Sequence, residues 1–257
     1  MEAMTPEDAV RVTDPLERAG VLSRLMAEHA GLLAEAAELR RAAVAEARAA
    51  GLSVAEIAGR LGVSPARVAS MAGGPEPAVL VRRALPTDPA VRASTSLFLA
   101  EAERQGLEAG RRMLYVGPEP AAEHVAACLR VEPGAEVIAR RKVMTVGGMP
   151  VRVATSYFRA DLFGGTRLAE PGFVRPSLQS ALVALGHSFG RAEETLTARP
   201  PVPSERETLE LDPGEWVVQV LRAGYSTDDT PVHVLETICA ATRHVFTVGQ
   251  VPGHDEF

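Results

Sequence analysis

Gly186-His187-Ser188-Phe189-Gly190 has the spacing of a nucleophile elbow, in which a serine on a sharp turn attacks an acyl carbon. Asp228 or Asp229 as acid, then His244 or His254 as base, follow in the chain order of an α/β-hydrolase-like esterase. Such an elbow needs a buried strand before the serine and a helix after it. Ser177–Leu185 has helical spacing instead, with Gly186 as a natural C-cap, and Pro200, Pro201 and Pro203 stop a long helix downstream. His124 and Cys128 share a helix face four residues apart, but no ligand set surrounds them. Gly147-Gly148 reads as a hairpin turn rather than a phosphate cradle. Neither a metal nor a cofactor is expected.

The residues that carry a sharper chemistry run from Ser53 to Met71. A helix-turn-helix needs a small residue where two helices cross, a glycine in the turn and apolar residues that lock the crossing. Ala58, Gly62 and the set Ile57, Leu61, Val63 and Val68 fill those roles. Ser53 with Glu56 makes a capping box, and Ser64 caps a second helix that begins with Pro65. That helix would enter a DNA major groove by its N-terminal end. Ser64, Pro65, Ala66, Arg67 and Ser70 are its candidate contacts, with Arg67 able to bond a guanine bidentately. Arg40, Arg41, Arg48 and Arg60 are candidate phosphate contacts, and Ser53 is a further candidate DNA-binding residue. Residues 38–72 hold 5 Arg and 3 Glu, whereas residues 1–74 hold 8 Arg against 10 acidic residues. So weak a positive patch predicts salt-sensitive binding that needs two copies of the recognition helix, hence a homodimer.

The elements that must position these groups follow from the pattern. Before residue 74 the chain is rich in Ala, Leu, Glu and Arg. Apolar residues from Leu22 to Ala47 keep a 3.6-residue period, which suits a core or dimer-packing helix. Asp14-Pro15 starts that helix and Gly31 is a point where it could divide. Gly73-Gly74-Pro75-Glu76-Pro77 breaks it off. Beyond lie alternating strand runs at Val137–Val146, Val151–Phe158, Trp216–Tyr225 and Val232–Ile238. Helical stretches lie at Ser94–Gln105, Ala121–Leu129, Pro176–Leu185 and Ser204–Leu209. Leu129-Arg130-Val131-Glu132-Pro133-Gly134 is echoed 80 residues later by Leu209-Glu210-Leu211-Asp212-Pro213-Gly214. Each is followed by a strand, a turn and a Pro-Val strand, so two units pair into one antiparallel sheet about a pseudo-two-fold axis. The expected class is α+β. An all-α helix-turn-helix domain spans 1–73, a linker 74–84, an antiparallel sheet with flanking helices 85–250, and a tail 251–257.

Composition bounds the rest. The 257 residues carry a net charge of -6, so a basic nucleic-acid coat is excluded and DNA binding must be local. Two cysteines suit a reducing cytoplasm, and no apolar run reaches the roughly 18 residues of a bilayer span. Of the 27 basic residues only Lys142 is a lysine, which marks a GC-rich coding sequence and singles that position out.

The N-terminal block resembles helix-turn-helix segments of actinobacterial proteins. It lacks the Leu-Pro-Ser-Glu box and wing of GntR-type repressors. Residues 85–250 resemble the UTRA domain, the effector-binding module of the HutC subfamily of those repressors. The resemblance rests on Ser96-Leu97-Phe98, Arg104-Gln105-Gly106, Arg140-Arg141-Lys142, Gly148-Met149-Pro150-Val151, Thr155-Ser156-Tyr157-Phe158, Pro176-Ser177-Leu178, Leu185-Gly186-His187 and Glu194–Arg199. It implies a chorismate lyase-like fold, a dimer, and a small-molecule effector that alters affinity for a double-stranded operator. Carried over position by position, it puts Lys142 and Met144 where sugar-phosphate binders hold an Arg-x-Arg pair. Leu99 replaces a serine after Phe98, Ala154 and His233 replace two acidic residues, and Ser177 is kept with Gln179 beside it. Tyr157 is a further candidate contact. These departures imply an effector less polar and less anionic than a sugar phosphate. The expectation is a cytoplasmic, ligand-responsive repressor, not an enzyme and with no membrane partner. The rivals are the Ser188 esterase and a ligand-binding dimer that does not bind DNA.

Overall fold

The computed structural model describes residues 5–74, 78–82 and 97–247, in two compact units that divide between Pro75 and Glu76. In the first unit α1 (Pro6–Val10) leads into α2 (Pro15–Ala49). Asp14 caps α2 by accepting from the Leu16 and Glu17 amides, both at 2.8 Å. Gly31 does not divide it; alanine-rich flanks carry the hydrogen bonding through 35 residues. Its apolar residues serve two separate cores. Val21 and Leu25 pack with Ala9 of α1, and Val44 packs with Ile57, Ala58 and Val68. Between those ends the helix face expected to be core is exposed.

The second unit is built on a six-stranded antiparallel sheet of order β2-β3-β4-β7-β6-β5. The strands are β2 (Ala109–Pro120), β3 (Glu136–Val146), β4 (Met149–Arg159), β5 (Phe189–Arg199), β6 (Val217–Ser226) and β7 (Pro231–Ala240). The two-fold pattern read in the sequence is present. The first repeat runs β2, helix (Glu123–Leu129), β3, β4, and the second β5, helix (Pro203–Thr208), β6, β7. β4 and β7 join them at the centre of the sheet. Arg130 and Glu210, at the same point of each repeat, both take the left-handed conformation, φ 54° and 51°. That is uncommon for residues with a Cβ, and each ends its helix so that the preceding Leu129 or Leu209 is fully buried.

Alternation gives the sheet two unlike faces. The two repeat helices cover one, with Val125, Leu129, Val137, Ala139, Tyr157 and Val234 in its core. The other is covered at one end by the helix Leu97–Arg104, whose Phe98 meets Met144, Val151 and Ala154. At its far end lie short helices at Ala160–Phe163 and Leu178–Ala184. Part of the expected linker is structured: Val79–Arg82 forms β1, paired in parallel with β8 (His244–Thr247). The tail 251–257 and residues 94–96 of the expected helix lie outside the described residues.

Candidate functional site

The helix-turn-helix forms as the spacing requires. It comprises α3 (Val54–Leu61) and α4 (Pro65–Met71), joined through Gly62 at φ 69°. The capping box is made, since the Ser53 amide donates to Glu56 at 2.8 Å and Ser53 Oγ accepts from the Glu56 amide. Ser64 Oγ caps α4 by accepting from the Arg67 amide at 3.1 Å. Arg67 itself is not on the outer face. It is 3% exposed, buried like its neighbour Val68, which packs with Ile57 and Ala58. That corrects its expected role as the base reader. Pro65 and Ala69 are exposed, and Ser64, Ala66 and Ser70 half-buried. Arg48 and Arg60 are exposed, as a phosphate contact must be, and Ser53 is exposed too. Leu61 is 51% exposed and does not lock the crossing.

The second site lies on the sheet face opposite the repeat helices. The register sets Lys142 against Met113 of β2 and Ala154 of β4, and Met144 against Arg111 and Arg152. Arg140, Ser156, His233 and Arg222 point the same way by alternation. Lys142 is half-buried, and its ammonium is pushed down to about 8 by burial and then by Arg111, Arg152 and Arg140. His233 stacks on Phe158 at 4.8 Å, with Nε2 shielded from solvent and without a hydrogen-bond partner. Burial, then Lys142 and Arg222, push it down to about 3, so the ring is neutral at pH 7. Arg152 lies 4.1 Å from the Phe98 ring centre, and its Nε donates to Met144 Sδ at 3.2 Å. Arg111 covers Phe173 at 4.3 Å. Arg140 is spent on structure: it donates to the carbonyls of Leu168, Glu170 and Gly172 and so holds the segment before Leu178. Arg222 lies 4.0 Å from Glu194.

The structure therefore gathers Lys142, Met144, Phe98, Leu99 and His233 on one face. It removes Tyr157, which points from the opposite face and donates to Glu236 at 3.2 Å. Burial, then Glu236, push its phenol up to about 12. Ser177 is the N-cap of its helix, accepting from the Ser180 amide at 3.0 Å, and Gln179 is exposed on that helix. Arg111 and Arg152 were missed. Arg152 is two residues from Ala154 and so shares its side; Arg111 sits on an edge strand that gave no strand signal.

The esterase geometry is not formed. Ser188 follows a helix and precedes β5, the reverse of an elbow. Asp229 is bonded to Arg130 and Arg191, and Asp228 to Ser226. His244 Nδ1 is 3.0 Å from the Ala240 carbonyl, and His254 lies outside the described residues. His124 pairs with Glu236 at 2.8 Å rather than joining Cys128. Among the described residues no group of three or more metal-ligating side chains is found, and no helix is long and apolar enough to cross a membrane.

Residues 104–245 match the UTRA domain. The chain belongs to the UTRA family. Residues 35–79 match a homeodomain-like domain, so the UTRA match here follows a homeodomain-like one. An uncharacterised HTH-type transcriptional regulator of Streptomyces coelicolor is 32% identical over 132 residues, 48% of this chain and 47% of that protein. The HTH-type transcriptional repressor PhnF of Mycolicibacterium smegmatis is 27% identical over 150 residues, 58% of this chain and 61% of that one. The chain thus spans about half to three fifths of the curated relatives it matches. The crystal structure of PhnF from Mycobacterium smegmatis aligns at TM-score 0.56 and 21% identity, over 83% of this chain and all of that one. A GntR-family transcriptional regulator structure aligns at 0.58 and 20% identity, over 78% of this chain and 88% of that one. Both likenesses show the fold, and the UTRA sheet seen here is theirs.

Proposed function

We propose that the chain is a cytoplasmic, homodimeric, ligand-responsive transcription repressor. The observation that carries this reading is a formed helix-turn-helix in one chain with a UTRA domain whose sheet face gathers cations. Ser64, Pro65, Ala66 and Ser70 present the reading edge of α4, while Arg48 and Arg60 contact phosphates. The effector is a small organic acid with an apolar body. Lys142, Arg111 and Arg152 face its anionic group, against walls of Phe98, Leu99 and Met144. The anionic part revises the sequence expectation, because two arginines from neighbouring strands stand beside Lys142. Exclusion of a sugar phosphate is kept, since Ala154 and His233 offer no carboxylate to sugar hydroxyls.

The route from effector to DNA runs through Gln105. Phe98 lies against Arg152, and the helix that carries it ends beside Gln105. That amide clamps β1 on both sides of one residue. Oε1 accepts from the Leu80 amide and Nε2 donates to the Leu80 carbonyl, each at 2.9 Å. Effector binding that favours one position of Phe98 therefore biases β1, the strand that follows the DNA-binding unit. Gel shift against the DNA upstream of the protein's own gene tests the reading. Binding is expected to weaken steeply with salt and to be released by the effector; no salt-sensitive binding, with or without ligand, would favour a ligand-binding dimer that does not regulate DNA. Gln105→Ala is expected to keep effector affinity within about threefold while reducing release of DNA. An unchanged release would remove the clamp from the route.

A further inference from the structure

The middle of α2 carries an apolar stripe that nothing in its own unit covers. Residues 26–36 are exposed apart from a half-buried Ala37 next to them, and Met26, Leu32, Leu33 and Leu39 are 75%, 60%, 44% and 65% exposed. Their spacing is not that of a helix lying on a globular core. His29, Leu32, Ala36, Leu39 and Ala43 follow at three, four, three and four residues, the a and d positions of a coiled-coil seam. Leu22 and Leu25 continue the same register toward the N-terminal end, where α1 already covers Leu25. The stripe thus begins where α1 stops and ends where α3 and α4 begin to cover the helix at Val44.

We propose that this stripe is the seam of a parallel, in-register two-stranded coiled coil with a second copy of the chain. A heptad stripe is self-complementary across a two-fold axis, so a second copy fits it without further adaptation. The four large side chains with His29 and the alanines expose roughly 600 Å² per copy, so a pair buries up to about 1,200 Å², which reaches the lower end of stable interfaces. Charge decides against the antiparallel arrangement. Glu28 and Glu35 both occupy the g flank, and antiparallel helices set g against g, which would bring these carboxylates together. The parallel choice also rests on the DNA-binding reading. The helix is about 52 Å long, so antiparallel copies would hold their recognition helices at opposite ends, whereas half-sites lie roughly 34 Å apart. His29, a polar group at an a position, fixes the register of the pair.

The full chain tests this through three variants. Leu32→Glu with Leu39→Glu keeps helix propensity and changes only exposed positions, and it is expected to raise the dimer dissociation constant at least 100-fold by sedimentation equilibrium. Circular dichroism and the melting of the sheet are expected to stay unchanged. Leu32→Cys and Leu39→Cys are each expected to link to their own copy on oxidation, as read by peptide mapping. A monomeric wild type, a double variant that still dimerises, or self-linking at one position only would each overturn the parallel seam. A seam that forms in a chain with no salt-sensitive operator shift would sink the DNA reading and leave the coiled coil standing on its own contacts.

Discussion

The two faces of the UTRA sheet treat charge in opposite ways. Beneath the repeat helices, every charge the structure pairs has an opposite within reach. Glu236 is met by His124, Tyr157 and Gln219, Arg141 by Glu119, and Arg199 by Glu205. On the far face Arg111, Lys142 and Arg152 lie close enough for the two arginines to help depress the lysine. A balanced network has no use for a ligand, and its members hold one another in place. Where cations crowd one another in this way, an anion seated among them relieves their repulsion and favours the charged lysine.

The comparison breaks first at Glu236. Glu236→Ala would strip three partners at once, and a loss of about 2–3 kcal/mol in urea unfolding is expected. A smaller loss than on the cationic face would show the balanced network to be solvated ornament. Lys142→Met should do the reverse. Anion affinity by calorimetry is expected to fall at least tenfold, or about 1.4 kcal/mol, while the fold keeps or gains stability. The pH dependence has a definite sign. The folded chain gives up the Lys142 proton near 8 and the unfolded chain near 10.5, so the unfolded state binds more protons between them. Stability is expected to rise from about pH 8 to about pH 10, and the rise should vanish in Lys142→Met. The smallest effect sharpens the assignment of faces. Tyr157→Phe removes one hydrogen bond to Glu236, and a cost of about 1 kcal/mol with unaltered anion affinity is expected. A change in anion affinity there would return Tyr157 to the effector face.

The four central strands and the repeat were legible because both of their edges are in the ladder and their faces alternate. The two strands of that sheet that were not are its edges, and the short β1 and β8 were missed as well. β2 contains Gly110, Gly117, Pro118 and Pro120, and β5 contains Arg191, Glu193 and Glu194. An edge strand tolerates proline and carries charge because one side of its backbone is unpaired, so its composition resembles a loop. Arg111 was lost with β2. Lys142 was legible because a lone lysine fell where the resemblance placed an anion-binding group. Tyr157 was misplaced by one step of parity: it pairs with Ala139 and Val234, whereas Lys142 pairs with Ala154. Arg67 was misplaced by the helical period, since 67 and 68 are adjacent and Val68 is the residue that closes the core.

The parallel pairing of β1 with β8 sets the first and last strands of the UTRA unit side by side. A unit that takes in its chain and lets it out along the same short ribbon behaves like a cartridge with a single socket. The ribbon is a sheet of its own, so a segment joined ahead of Val79 adds no strand to the six-stranded sheet. Exchange of the DNA reader ahead of Val79 would then leave the ladder of that sheet intact.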